Sequence, residues 1–157
     1  MGKGGSSKDS EGIKLIASNR RARFDYEISD RFEAGVMLVG SEVKTLRGGK
    51  CVLQGAHVRV NAGEAWVHGM SVPEYPQAGR FNHDPDRPRK LLLHRREIDR
   101  LEVKLREKGT AAPVLRVYFK GGRVKLEFGV GTGRKHYDKR QALKKADAKR
   151  AMDRARG

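Results

Sequence analysis

Leu115-Arg116-Val117-Tyr118-Phe119-Lys120-Gly121-Gly122-Arg123-Val124-Lys125-Leu126-Glu127-Phe128 reads as a β-hairpin. Two β-prone runs flank a Lys-Gly-Gly turn, and glycine supplies the left-handed backbone that tight hairpin turns need. In the second run Val124, Leu126 and Phe128 fall on one face, while Arg123, Lys125 and Glu127 fall on the other. That is the two-residue period of a sheet with one wet side. The same texture returns toward the N-terminus. A run from Val52-Leu53 to Val58-Arg59-Val60 is joined through Asn61-Ala62-Gly63 to Glu64-Ala65-Trp66-Val67-His68, a second hairpin. Phe24, Tyr26 and Ile28 alternate with Asp25 and Glu27 as a half-buried strand, and Gly35 to Gly40 is a glycine-bounded apolar run expected as a separate buried strand. The tally is about six antiparallel strands. Long helices do not separate every strand pair, which argues against a parallel βαβ sheet. The expected fold is mainly β: an OB-like antiparallel barrel, closed or nearly so, with two or three packed helices.

Two helices are legible. Ser41 precedes Glu42-Val43-Lys44-Thr45-Leu46-Arg47, which Gly48-Gly49 stops. From about His94 to Lys108, Ile98, Leu101 and Leu105 form an apolar stripe, Glu102 and Arg106 stand four apart, and Gly109 ends the run. Between them Val72 to Pro88 holds Pro73, Pro76, Pro85 and Pro88, so it is expected as a long surface loop of the kind that serves a partner. The chain divides into a leader at 1–12 with little to bury, the barrel at 13–132 and a basic tail at 133–157. In the tail Leu143 and Met152 are the only large apolar side chains after Gln141, so it is expected to be disordered alone and to become helical on a partner.

Charge narrows the partner. The 157 residues carry 35 Lys+Arg against 19 Asp+Glu, a net +16. Residues 14–132 account for +9 and 133–157 for +7, so the tail is the densest part. Such a surplus attracts polyanions, nucleic acid first. The single Cys51 excludes a disulfide framework, and no apolar run is long enough for a membrane span. The leader lacks the apolar core of a secretory signal, so a soluble, cytoplasmic chain is expected.

The residues offer little to catalysis. His57, His68, His83, His94 and His136 show no metal-ligand spacing, and no nucleophile elbow or cysteine signature occurs. Gly129, Gly131 and Gly133 precede Arg134-Lys135, but no Ser or Thr follows Lys135 as a phosphate loop requires, leaving a backbone nest or a flexible exit. Neither metal nor cofactor is expected. What remains is cations interleaved with aromatics: Arg20-Arg21-Ala22-Arg23-Phe24-Asp25-Tyr26, Arg87-Pro88-Arg89-Lys90 and Arg134 to Arg140. Lys and Arg neutralise phosphates while planar rings stack on unpaired bases.

These segments resemble the small protein B (SmpB) family, partners of transfer-messenger RNA in bacterial ribosome rescue. The matching motifs are Asn19-Arg20-Arg21-Ala22-Arg23, Phe32-Glu33-Ala34-Gly35, Gly40 to Arg47, Pro85 with Arg89-Lys90-Leu91-Leu92-Leu93-His94, and Gly133 to Arg140. The resemblance implies a non-enzymatic, monomeric adapter that binds the tRNA-like domain of transfer-messenger RNA. It would carry that RNA to stalled ribosomes and place its tail in the mRNA channel. It implies an RNA-facing set of Asn19, Arg20, Arg23, Glu33, Arg89, Lys90, Leu92, His94, Gly133, Arg134 and Lys135, with Lys44 and Arg47 either in that set or surface support. Phe24, Asp138, Lys139 and Arg140 would meet small-subunit rRNA at the decoding centre. Four residues depart from the family's habit, one of them Pro113, which falls a residue earlier than the usual Pro at that strand entry. Phe24 replaces a His, keeping a stacking ring without a titratable donor; Arg134 replaces a Lys; and Gly131 stands where Ala is common, which is expected to loosen the exit to the tail. Two rivals carry other expectations: a structural ribosomal protein that binds rRNA, and an RNA-modifying enzyme using the barrel to dock.

Overall fold

A computed structural model describes residues 12–156; the side chains of residues 135–142, 147, 155 and 156 lie outside the described set, as does the expected leader but for Gly12. In chain order the elements are β1 (Ile13–Ser18), α1 (Arg20–Asp25), β2 (Tyr26–Val36), α2 (Gly40–Arg47), β3 (His57–Asn61), β4 (Glu64–His68), β5 (Arg89–Leu92), α3 (Arg95–Leu105), β6 (Thr110–Ala111), β7 (Val114–Lys120), β8 (Arg123–Gly133) and α4 (Arg134–Arg156). A 3-10 turn spans Pro76–Phe81.

All the strand pairs are antiparallel, in the order β1-β7-β8-β2-β5-β4-β3, with β6 added to β8. The ladder is open between β1 and β3. The β3 edge nonetheless meets the segment before β7: His57 bridges Pro113, Val58 N–H donates to the Ala112 carbonyl (2.7 Å) and Val114 N–H to the Ala56 carbonyl (3.0 Å). This near-closure hides part of an edge that would otherwise pair with another chain.

Both hairpins form where the glycine turns place them. The differences lie elsewhere. The expected strand around Tyr26 and the first two residues of the expected Gly35–Gly40 strand are one eleven-residue strand, β2, whose alternation is reset by a bulge at Ser29, between Ile28 and Asp30. It ends at Val36, and Met37 and Val39 are exposed instead of buried in a strand. The expected strand from Val52 begins only at His57; Val52 makes an isolated bridge to Ser71. β1, β5 and β6 bring the sheet to eight strands among the described residues. Phe24 is not in a strand but in the last turn of α1. The 72–88 segment is less a surface loop than expected, because its His83 is buried between the Ser41 hydroxyl and the Val72 carbonyl (2.8 Å each).

The core sits inside the curved sheet. Phe32 and Phe128, opposite one another on β2 and β8, stack with ring centroids 5.2 Å apart, among Leu46, Val67, Leu101 and Leu126. Ile98 and Leu101 seat α3, as their spacing predicts. Gly131 belongs to β8 and is buried; a β-carbon there would collide with the Glu27 carbonyl. Its small size answers a close backbone approach rather than loosening the exit. α4 continues directly from β8, with Leu143 and Met152 exposed.

Candidate nucleic-acid interface

Arg31 and Glu33 lie on the outer face of β2 opposite Gly129 and Glu127, while the bulge at Ser29 turns Glu27, opposite Thr132, to the other face; each is exposed. Their partners make β2 a charged strip along its length, turned at the bulge. At one end Arg134 donates to Glu27 (2.9 Å) and to the Arg23 carbonyl (3.3 Å). In the middle Glu127 pairs with Arg116 (3.3 Å) and Arg31 (3.9 Å). At the other end the Tyr118 hydroxyl and Lys120 (3.4 Å) donate to Glu33. The Tyr118 hydrogen bond outweighs partial burial and, with Lys120, holds the Glu33 carboxyl below its ordinary value. Burial and the Glu33 charge push the Tyr118 phenol up, so it stays a donor. From Tyr26–Gly133 to Glu33–Glu127 the pairing spans six residue steps of β8, roughly 20 Å at about 3.3 Å per residue.

Beyond Glu33 the strip opens into a groove of about 720 Å³ lined by Glu33, Lys90, Leu92, His94, Arg95 and Lys125 among others. Lys90 pairs with Glu64 (3.3 Å), and Leu92 is 53% exposed. His94 caps α3, its N–H donating to Glu97 (3.2 Å), which leaves the exposed imidazole free of that duty. Lys125 and Arg95 were not among the expected contacts. Lys125 was legible as a cation on the wet face of the second hairpin, whereas nothing local marks Arg95 as a groove residue.

At the opposite end α1 presents Arg20, Arg23 and Phe24 to solvent, Phe24 being 81% exposed. Asn19 does not reach outward. Its Oδ1 accepts from the Ala22 N–H (3.2 Å) and its Nδ2 donates to the Leu53 carbonyl (3.0 Å), so it caps α1 and ties the helix to the body. Gly133 ends β8 opposite Tyr26 with open space at its α-carbon, and α4 begins at Arg134. The side chains of Lys135, Asp138, Lys139 and Arg140 lie outside the described residues; their backbone belongs to the first turns of α4.

After Asn19, a second expected contact is turned inward. Arg89 is 0% exposed. Its Nε donates to Glu42 (2.5 Å), its Nη1 to the carbonyls of Met70 (2.8 Å) and Arg87 (3.0 Å), and its Nη2 to those of Pro85 (3.0 Å) and Asp84 (3.4 Å). All five guanidinium N–H groups are used inside the protein, so none is left for phosphate. Glu42, also 0% exposed, takes Arg87 as well (2.5 Å and 3.2 Å) and the Val39 N–H (2.9 Å). Burial alone would raise its pKa; the bonds from Arg87, Val39 and Arg89 outweigh that and hold it below the ordinary 4.5. Lys44 and Arg47 are exposed on α2, Lys44 with its ammonium 5.6 Å from the Tyr75 ring centre.

Among the described residues no three His, Cys, Asp or Glu side chains are placed to hold a metal ion, and no helix is long and apolar enough to cross a membrane. Burial pushes the Cys51 thiol up to about 11, leaving it a poor nucleophile at neutral pH.

A nearly closed antiparallel barrel with cations, rings and hydrogen-bonding side chains along one outer strip defines an OB-like polyanion-binding module. The family model described as SmpB protein matches residues 16–157. An SsrA-binding protein of Syntrophomonas wolfei is 49% identical over 148 residues, covering 94% of each chain. That of Salinispora arenicola is 53% identical over 147 residues, covering 94% of this chain and 92% of its own. A chain from the solved structure described as "tmRNA-SmpB: a journey to the center of the bacterial ribosome" is 42% identical, with a TM-score of 0.64 over 74% of this chain and 82% of the other. The chain belongs to the SmpB family.

Proposed function

We propose that this chain is the RNA-binding adapter of trans-translation: it binds the tRNA-like domain of transfer-messenger RNA and delivers it to stalled ribosomes in the cytoplasm, without catalysing a reaction itself. The observation that carries the reading is the outer strip of β2. Glu33, Leu92 and His94 at its groove end and Gly133 and Arg134 at its far end stand at the two ends of β2, far enough apart for a folded RNA elbow to span them. Cations there hold phosphates, which fixes orientation, while Glu33 and His94 take base edges or 2′-hydroxyls. Phe24 and the first turns of α4 continue past the far end, where they meet small-subunit rRNA, and the tail enters the mRNA channel. The tail's low apolar content makes its helix marginal alone and stable in that channel.

Competition binding tests the reading. Labelled tRNA-like domain should be displaced by unlabelled transfer-messenger RNA far better than by ordinary tRNA or rRNA fragments; equal displacement by rRNA would instead favour a ribosomal protein. Changing Asp138, Lys139 and Arg140 together to Ala should leave that binding intact and abolish tagging of nascent chains on stalled ribosomes.

A further inference from the structure

The 3-10 turn Pro76–Phe81 has no part in the strip or the groove, yet it is built to hold a shape. Asn82 closes it, accepting from the Tyr75 N–H (2.8 Å) and donating to the Tyr75 carbonyl (2.7 Å) and the Gly79 carbonyl (3.3 Å). Gly79 turns the chain with φ +54°. Lys44 of α2 lies over the Tyr75 ring, and the neighbouring His83 is bonded to Ser41 and to the Val72 carbonyl. Held by these contacts, the turn presents Phe81, 78% exposed, with the Arg80 guanidinium 5.2 Å from its ring centre. Large aromatics are normally buried, and here the fold spends hydrogen bonds to keep one in water beside a cation.

Exposed ring, adjacent guanidinium and fixed backbone are the parts of a base-stacking platform. The turn is neutral, with Arg80 as its cation and Glu74 nearby, but α2 places the exposed Lys44 and Arg47 three residues apart on one face beside it. After Pro88, β5 leads in four residues from Arg89 at this side to Leu92 in the groove. The chain thus runs from the turn through β5 into the groove end of the strip.

We infer that Phe81, backed by Arg80, stacks on an unpaired base of the same RNA that occupies the groove, a contact additional to those of the strip. The inference rests on the RNA-binding reading above. Full-length Phe81→Ala should bind the tRNA-like domain at least about five-fold more weakly, the lower bound for one lost base stack. Its slope of log K against log salt should be unchanged, because no phosphate contact is lost. Phe81→Trp should restore affinity, and its added indole fluorescence, relative to the parent's Trp66, should be quenched when RNA binds. Parental affinity in Phe81→Ala, or no added quenching in Phe81→Trp, overturns the stacking contact. A parallel Lys90→Ala/Lys125→Ala variant separates the two readings: its weaker binding beside an unaffected Phe81→Ala rejects the platform alone, while tight, salt-independent binding by both rejects the RNA strip as well.

Discussion

Glu42 and Arg89 are 47 residues apart in sequence and fully buried together. Removing one member of a buried pair leaves the other charged and unmatched, at a cost of about 3–5 kcal/mol. Glu42→Gln and Arg89→Met should therefore each lower the denaturation midpoint strongly. Arg89→Lys should rescue little, since an ammonium cannot meet five acceptors with a planar fork. The pH dependence follows from the sign of the shift. The folded carboxyl holds its proton less readily than the unfolded one, whose value is near 4.5. Its stabilisation is present in full above that pH and is lost as pH falls through the depressed folded value. Urea denaturation of the parent and Glu42→Gln should thus show a wide gap at pH 7 that narrows below about 4.5; a gap constant with pH would refute the assignment. The sequence could not disclose this pair. Arg87-Pro88-Arg89-Lys90 reads locally as a cation cluster, and the carboxylate that internalises Arg89 arrives only through the tertiary fold. The thiol of Cys51, raised to about 11 by burial, gives a convenient reporter: iodoacetamide at pH 8 should label it slowly in the parent and faster in Glu42→Gln, through global opening.

At the scale of elements, α1 has six residues and buries only Ala22. So short a helix depends on its cap. Asn19→Ala should destabilise the protein by about 1 kcal/mol through the lost Ala22 bond, with more from the unmet Leu53 carbonyl. Asn19→Asp keeps the acceptor but not the donor and should fall between; chemical denaturation of the three forms checks the order. The elements that pattern reading recovered, the two glycine-turn hairpins, α2 and α3, are those whose periodicity or capping runs unbroken. Those it missed each break the period for a physical reason. β1 has adjacent Leu15 and Ile16 because the register shifts between Leu15 and Ala17. β2 was split by its bulge at Ser29, and β5 opens on a charged residue that is interior. α1 has too few buried positions to show a stripe. α4 has the opposite character, continuous in the backbone yet exposed at Leu143 and Met152. Hydrogen exchange should accordingly find the amides of residues 143–156 exchanging in seconds while Leu126 and Phe128 of β8 stay protected; comparable protection in both would mean that the tail is packed.

For the whole molecule, the expected RNA contacts sort by height above the sheet rather than by sequence cluster. Arg89 is inside, Asn19 is a cap, and Glu33, Leu92, His94, Gly133 and Arg134 lie on or beside the strip. The family motifs made the surface legible as a set of residues, but its continuity depends on β2 and β8 pairing from Tyr26–Gly133 to Gly35–Lys125. That continuity gives the net charge of +16 a direction. A diffuse surplus would weaken binding uniformly as cations are removed anywhere; a seated RNA responds only to those beneath it. Each phosphate contact contributes about 0.7–0.9 to the slope of log K against log salt. Lys125→Ala and Arg134→Ala, at the two ends of the strip, should each reduce the slope for the tRNA-like domain by about that much, and the double variant by about twice as much. Arg106→Ala serves as the control, because Arg106, past the end of α3, is exposed, paired with Glu102 (3.1 Å) and on no strand of the strip, and its slope should match the parent. Equal losses from all three would mean that the RNA samples the whole basic surface, and the strip would cease to be a site.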